Sequence, residues 1–160
     1  GHFEVDGQFD LQADGQEQYS YSRYALFETH KTGSADGEPL APLLGSITGF
    51  DHGASDISIG PLTYFLAYND HVVIYVFTPT AHEASACDIY WLVRADATEG
   101  TDYELDKLTW LWDVTTVADK RIIVDTQHGI NSRKYEPGPL SNMEYLIDRY
   151  IDWYQRAMSR

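Results

Sequence analysis

His71 to Thr78 reads HVVIYVFT. Its β-branched and aromatic side chains lose rotamer freedom in a helix and sit well on a pleated sheet, so the stretch is a strand. Asn69-Asp70, just before it, are turn residues. Upstream, Ile57, Ile59, Leu62, Tyr64, Leu66 and Tyr68 form a strand broken near Gly60-Pro61. Downstream, beyond Pro79–Ser85, the run ACDIYWLVR at Ala86–Arg94 is another strand. Strand, two turn residues, strand is a hairpin, and the third run extends it into an antiparallel meander.

Outward from this sheet the pattern changes. Tyr19–Phe27 alternates through Tyr19, Tyr21 and Arg23 and reads as a strand, while residues 1–20 read as an edge strand or an ordered tail. Thr32–Leu44, with Gly33, Gly37, Pro39 and Pro42, is loop, and Gly45–Gly53 is further connection. Beyond Gly100 the apolar period moves towards 3.6. Leu105, Leu108, Leu111 and Trp112 share a helical face, with Asp102 as N-cap. Val114-Thr115-Thr116-Val117 is β-branched and predicts an interruption, after which Thr116 caps a second helix ending at Gly129. Ser141-x-x-Glu144 is a capping box for a last helix, Asn142–Met158, with Met143, Leu146, Ile147, Tyr150 and Tyr154 as its buried stripe. Strands first and helices after make an α+β chain, an antiparallel sheet with helices on one face. A long helix laid across a bent sheet leaves room for an apolar ligand.

Composition narrows the function. The 160 residues suit one domain, 1–160, and 43% hydrophobic with 14% aromatic residues supports a substantial core. A formal charge of −14 argues against nucleic acid and against anionic membrane surfaces, which need clustered Lys and Arg. The single cysteine, Cys87, excludes an intrachain disulfide and fits a reducing, cytoplasmic setting. In a strand, Cys87 reads as a small buried hydrophobe. No apolar run is long enough to span a membrane, no signal peptide is visible, and Gly1 in place of Met suggests a cut or processed end.

Residues 108–153 read LTWLWDVTTVADKRIIVDTQHGINSRKYEPGPLSNMEYLIDRYIDW. The spacing of Asp119, Gln127 and Gly129, followed by Ser132, Tyr135, Pro137-Gly138, Ser141, Glu144 and Trp153-Tyr154, resembles the C-terminal end of the catalytic domain of Rieske non-haem iron oxygenases, the ring-hydroxylating oxygenase alpha subunits. GPLTYFLAYNDHVVIYVFTP and IYWLVRADATEGTDY resemble the same family's substrate-domain sheet. The resemblance implies a helix-grip fold of the Bet v 1 or START type. It also implies mononuclear Fe(II) held by two histidines and one carboxylate, with positions open for O₂ and substrate. The carboxylate carried over by position is Asp119, with Asp113 and Asp125 as alternatives. A first-turn Asp is equally what the helix dipole favours on a solvated surface.

The chain departs from the family in two ways. One cysteine cannot supply the thiolates of a [2Fe–2S] Rieske cluster. The histidines are His2, His30, His52, His71, His82 and His128, with no pair at helical spacing. The expectation is a C-terminal part of an alpha subunit, beginning after its histidine helix and lacking the Rieske domain. By itself it is expected to be inactive, with no cluster and no tightly bound iron. His71, opening a strand beside a turn, is expected to be exposed; His30, His52 and His82 sit in polar loops, and His128 faces a cavity or caps a helix end.

The implied reaction of the intact enzyme is insertion of oxygen from O₂ into an organic substrate, aromatic compounds among those the family takes. Electrons would come from a ferredoxin or reductase through the cluster, and many alpha subunits of the family form trimers. The alternative is a non-catalytic helix-grip module for a small apolar ligand. A hydrolase lacks support, because neither a G-x-S-x-G elbow nor an H-E-x-x-H spacing occurs.

Overall fold

The computed structural model describes residues 19–159. The expected edge strand or tail within residues 1–20 therefore falls almost wholly outside the described residues. Five strands form one antiparallel sheet in chain order: β1 (Tyr19–Ala25), β2 (Gly53–Ile59), β3 (Thr63–Ala67), β4 (Val72–Ala81) and β5 (Ala84–Leu92). Helix α1 (Leu105–Ile130) follows, then a single 3₁₀ turn (Asn142–Glu144) and α2 (Tyr145–Met158). The α+β class and the meander expected from the sequence are what the chain adopts.

The break near Gly60-Pro61 is a reversal, not an irregularity within one strand. Gly60 takes φ 62°, a left-handed conformation open to glycine, and β2 and β3 pair antiparallel across it. At the next corner the Tyr68 amide donates to the His71 carbonyl at 2.9 Å, closing the turn around Asn69-Asp70. β4 and β5 run further than expected, to Ala81 and back from Ala84, with a register shift between Pro79 and Ala81. A proline cannot donate to the ladder, so the irregularity falls where a bond is missing.

The helical half corrects the sequence reading. The Val114–Val117 run does not interrupt anything, and α1 is continuous for 26 residues. Each β-branched residue costs only up to about 0.7 kcal/mol in a helix, less than ending and renucleating one. Asp102 is not its N-cap. The Glu104 carbonyl accepts the first helical bonds, from Lys107 and Leu108, whereas the Asp102 carboxylate accepts from the Thr98 amide at 2.9 Å. Thr116 therefore lies inside the helix. Half of the expected capping box forms, the Ser141 amide donating to Glu144 Oε2 at 2.6 Å. In α2, Ile147, Tyr150 and Tyr154 of the expected buried stripe are exposed. Tyr150 packs against Trp153 and Tyr154 of its own helix, at 5.9 and 6.3 Å between ring centroids. The side chains of Met143 and Leu146 lie outside the described residues.

The chain forms two compact units, residues 1–112 and 113–160. The buried side chains of the first are Ala41, Ala54, Tyr68, Val73 and Leu108, with the polar Thr32, Ser34, Ser55, Asn69, Asp70 and His71 among them. The long connection between β1 and β2 is fastened to the Asn69–His71 corner. Leu44 N–H donates to the Asn69 carbonyl at 2.9 Å and Leu40 N–H to Asp70 Oδ2 at 2.9 Å. Gly33 permits a close approach there: a Cβ on it would lie 2.4 Å from Tyr68 Cζ.

Candidate functional site

Strand pairing brings chemistry onto one face of the sheet. Asp56 lies opposite Leu66, Leu66 opposite Val73, and Val73 opposite Trp91, so these four side chains form a row on a common face. The neighbouring row runs Ser58, Tyr64, Tyr75 and Ile89. Tyr64 and Tyr75 both pack on Phe77, at 6.0 and 6.3 Å. Trp112, from the second turn of α1, touches Tyr68 at 6.4 Å and Tyr75 at 6.1 Å.

At one end of this face is a chain of hydroxyls ending on a carboxylate. The Tyr24 hydroxyl donates to Asp56 Oδ1 at 3.3 Å, and the Tyr68 hydroxyl hydrogen-bonds to Tyr24 in turn. Burial pushes the Asp56 carboxyl above its ordinary value, against the pull of the Tyr24 bond. Burial and then the Asp56 charge push Tyr24 up to about 12. Tyr68 is raised further, by burial first and then by the charges of Tyr24 and Asp56. Both phenols thus stay protonated and act as donors. Among the described residues no Lys, Arg or His forms an ion pair with Asp56. The buried indole N–H groups of Trp91 and Trp112 likewise have no hydrogen-bond partner among the described residues.

Against Tyr68 lies a second, fully buried cluster. Asp70 Oδ1 accepts from the Thr32 hydroxyl at 2.6 Å and from His71 Nδ1 at 2.9 Å. Tyr68 stacks on the His71 ring at 4.8 Å and 19°. His71 is therefore not the exposed residue its place beside a turn suggested: the carboxylate next to it draws the imidazole inward, and Nε2 is left buried without a partner among the described residues.

The residues singled out by resemblance fall elsewhere. Asp119 is an exposed residue in the middle of α1, not in a first turn, so the helix dipole does not favour its charge. Asp113 is exposed, and Asp125 faces Arg121 at 3.9 Å on the helix surface. His82 and His128 are exposed, and His52 Nδ1 donates to the His30 carbonyl at 2.8 Å. Cys87 is exposed rather than buried, because the β4–β5 hairpin runs on past the core. Among the described residues no three His, Cys, Asp or Glu side chains converge on a metal position. The described donor set is thus not a complete iron site, and Asp119 fits only as one ligand of a set completed from outside it. Also among them, no helix is long and apolar enough to cross a membrane.

Asp56 was missed in the sequence. Asp56 and Ser58 are the polar positions that alternate with Ile57 and Ile59, and alternation alone assigns them to solvent. Only the register, which sets Asp56 beside Leu66, shows that they share a face with Tyr75 and Trp91.

Comparison with known proteins gives these residues a context. Residues 2–160 match the family described as ring hydroxylating alpha subunit (catalytic domain). Among curated proteins, the glycine betaine monooxygenase oxygenase subunit of Pseudomonas aeruginosa (strain UCBPP-PA14) is 34% identical over 117 residues, covering 72% of this chain and 27% of that protein. The subunit of the same name from Chromohalobacter salexigens is 32% identical over 139 residues, covering 86% of this chain and 31% of that protein. The chain spans less than a third of the length of these relatives.

Proposed function

The chain belongs to the ring-hydroxylating oxygenase alpha-subunit family, in its catalytic-domain part, and from that membership we propose that it is the substrate-side portion of an oxygenase. The observation that carries the proposal is the family match over nearly the whole chain, together with a sheet face lined by aromatic side chains.

In the proposed reaction one oxygen atom of O₂ enters a C–H bond of a small organic substrate and the other leaves as water, with two electrons and two protons supplied. Fe(II), when bound, supplies the activation of O₂, and electrons reach it from a Rieske cluster and a ferredoxin or reductase, none of which these residues hold. Two relatives named for glycine betaine favour an N-methylated substrate and monooxygenation over an aromatic ring and dioxygenation. The part of this chain's residues is to bind and orient. The Tyr75, Phe77 and Trp112 rings offer an apolar surface that excludes water.

Asp119 is proposed as the carboxylate ligand of the iron. Its support is its place eight residues before Gln127 in the family-like motif. The test uses the longer protein that carries this sequence, with Fe(II), an electron donor and isotopically labelled O₂. Label in the product and iron bound at one per subunit are expected, and Asp119→Ala should lose both. An Asp119→Ala protein with full iron would remove Asp119 from the site. Absence of label from every product of the unmodified protein would favour the non-catalytic ligand-binding module.

A further inference from the structure

We propose that Tyr64, Tyr75, Trp112 and Tyr68 form a one-electron relay from the surface to a buried phenol, and that Tyr68 is its redox-active end, its proton passing through Tyr24 to Asp56. This goes beyond the oxygenase reading. It is a redox function of the chain's own side chains and needs neither iron nor cluster.

The first observation is a continuous run of oxidisable rings. Tyr64 is exposed and stands directly opposite Tyr75 in the β3–β4 register, where facing side chains are neighbours. Tyr75 and Trp112 lie edge to face with centroids 6.1 Å apart, and Trp112 and Tyr68 follow at 6.4 Å. Both separations are those of rings in contact. An electron therefore leaves Tyr68 for the surface in short steps between rings, not in one long step through aliphatic packing.

The second observation is a proton exit at Tyr68. A phenol that loses an electron becomes a strong acid, so the oxidation is easy where a positioned base takes the proton. Tyr24 commits its one hydroxyl proton to Asp56 Oδ1 at 3.3 Å, so in its bond with Tyr68 it is the acceptor and Tyr68 the donor. The step then balances. Tyr68 gives one electron through Trp112 to an external one-electron oxidant. Its proton passes to the Tyr24 oxygen as the Tyr24 proton passes to Asp56. The products are a neutral phenoxyl radical on Tyr68, an unchanged Tyr24, a protonated Asp56 and the reduced oxidant. Among the described residues no cation pairs with Asp56 to hold it ionised, and its burial favours the protonated form.

The third observation is the enclosure of that phenol. Tyr68 is 8% exposed and its ring stacks on His71 at 4.8 Å. Its hydroxyl lies so close to Gly33 that a Cβ there would come within 2.6 Å of the oxygen. A radical held in this way is shielded from coupling with a second tyrosine, the usual fate of an exposed one.

The experiment oxidises the chain with ruthenium(III) tris-bipyridine, generated by a light flash with a cobalt(III) ammine as electron acceptor. Radicals are followed by transient absorption and, after rapid freezing, by electron paramagnetic resonance. The unmodified chain is expected to give a neutral tyrosyl radical that outlives those of free tyrosine under the same flash. Tyr68→Phe should lose it and keep only short-lived signals from exposed tyrosines. Asp56→Asn removes the proton acceptor and Trp112→Phe the oxidisable ring between Tyr75 and Tyr68. Each, checked for folding by circular dichroism, should form the long-lived radical about tenfold more slowly. A hydrogen-bond chain that is merely structural would leave these rates unchanged. Absence of a long-lived radical from the unmodified chain overturns the proposal, and so does its survival in Tyr68→Phe. A folded Asp56→Asn or Trp112→Phe that forms it at the parental rate overturns the proposal as well. The readout needs neither iron nor substrate. Its failure therefore leaves the oxygenase reading standing, and a longer protein that incorporates no oxygen leaves the relay standing.

Discussion

Asp70 and Asp56 are both carboxylates withdrawn from water, and the fold treats them oppositely. Burial alone would raise Asp70, but the hydrogen bond and charge of His71, the Thr32 hydroxyl and the Leu40 amide outweigh it and hold the group below its ordinary value of 3.8. A depressed carboxyl stabilises the fold above the unfolded-state value and loses that contribution as pH falls through the folded one. Melting curves should therefore drop as pH falls below about 4, and Asp70→Asn should flatten that drop. Asp70→Ala, which leaves His71 and Thr32 buried and unpaired, should cost about 3–5 kcal/mol in denaturant unfolding. Asp56, raised by burial, has the reverse sign: the folded state loses stability as pH rises from 3.8 through the raised value, because ionising it is harder in the fold than out of it. Asp56→Asn should thus melt no lower than the parent at neutral pH. Gly33→Ala should be destabilising, with a changed near-ultraviolet signal from Tyr68, since the new methyl would meet a ring held by His71. None of this was legible in the sequence. Asp70 read as a turn residue and His71 as exposed, since what buries them is a loop some 38 positions away, through the Thr32–Asp70 bond.

Elements were more readable, and the failures among them share a cause. The strands announced themselves because alternation and β-branching are local, and β4 takes in HVVIYVFT from Val72 on and runs three residues past its end. The break in β2–β3 was visible as Gly60-Pro61, but whether a break is a bulge or a reversal depends on partners. The helix misreading came from giving local preference too much weight at Val114–Val117. A small penalty remains measurable there. Val117 is 70% exposed, and Val117→Ala should stabilise α1 by about 0.5 kcal/mol in thermal unfolding. Val73, wholly buried between Leu66 and Trp91, should behave in the opposite way, with Val73→Ala costing about 2 kcal/mol. The site was half legible. The motif around Asp119 carried the family, while the face of Asp56 needed the strand register.

At the scale of the molecule, the net charge of −14 favours the approach of cations over anions. Amide exchange should be slowest in β2, β3 and β4, which have partners on both sides, and faster in β1 and β5, which among the described residues are paired on one side. The β1–β2 connection is held at two points by one side chain. Asp70 grips it at Thr32 and at Leu40, one oxygen to each, as a bidentate ligand closes a chelate ring. Once the first grip is made the second is intramolecular and costs little further ordering. Losing either should then harm more than half as much as losing both, and the segment between the two grips should resist insertions that the rest of the connection accepts. Length variation along this loop is thereby confined by a single side chain outside it.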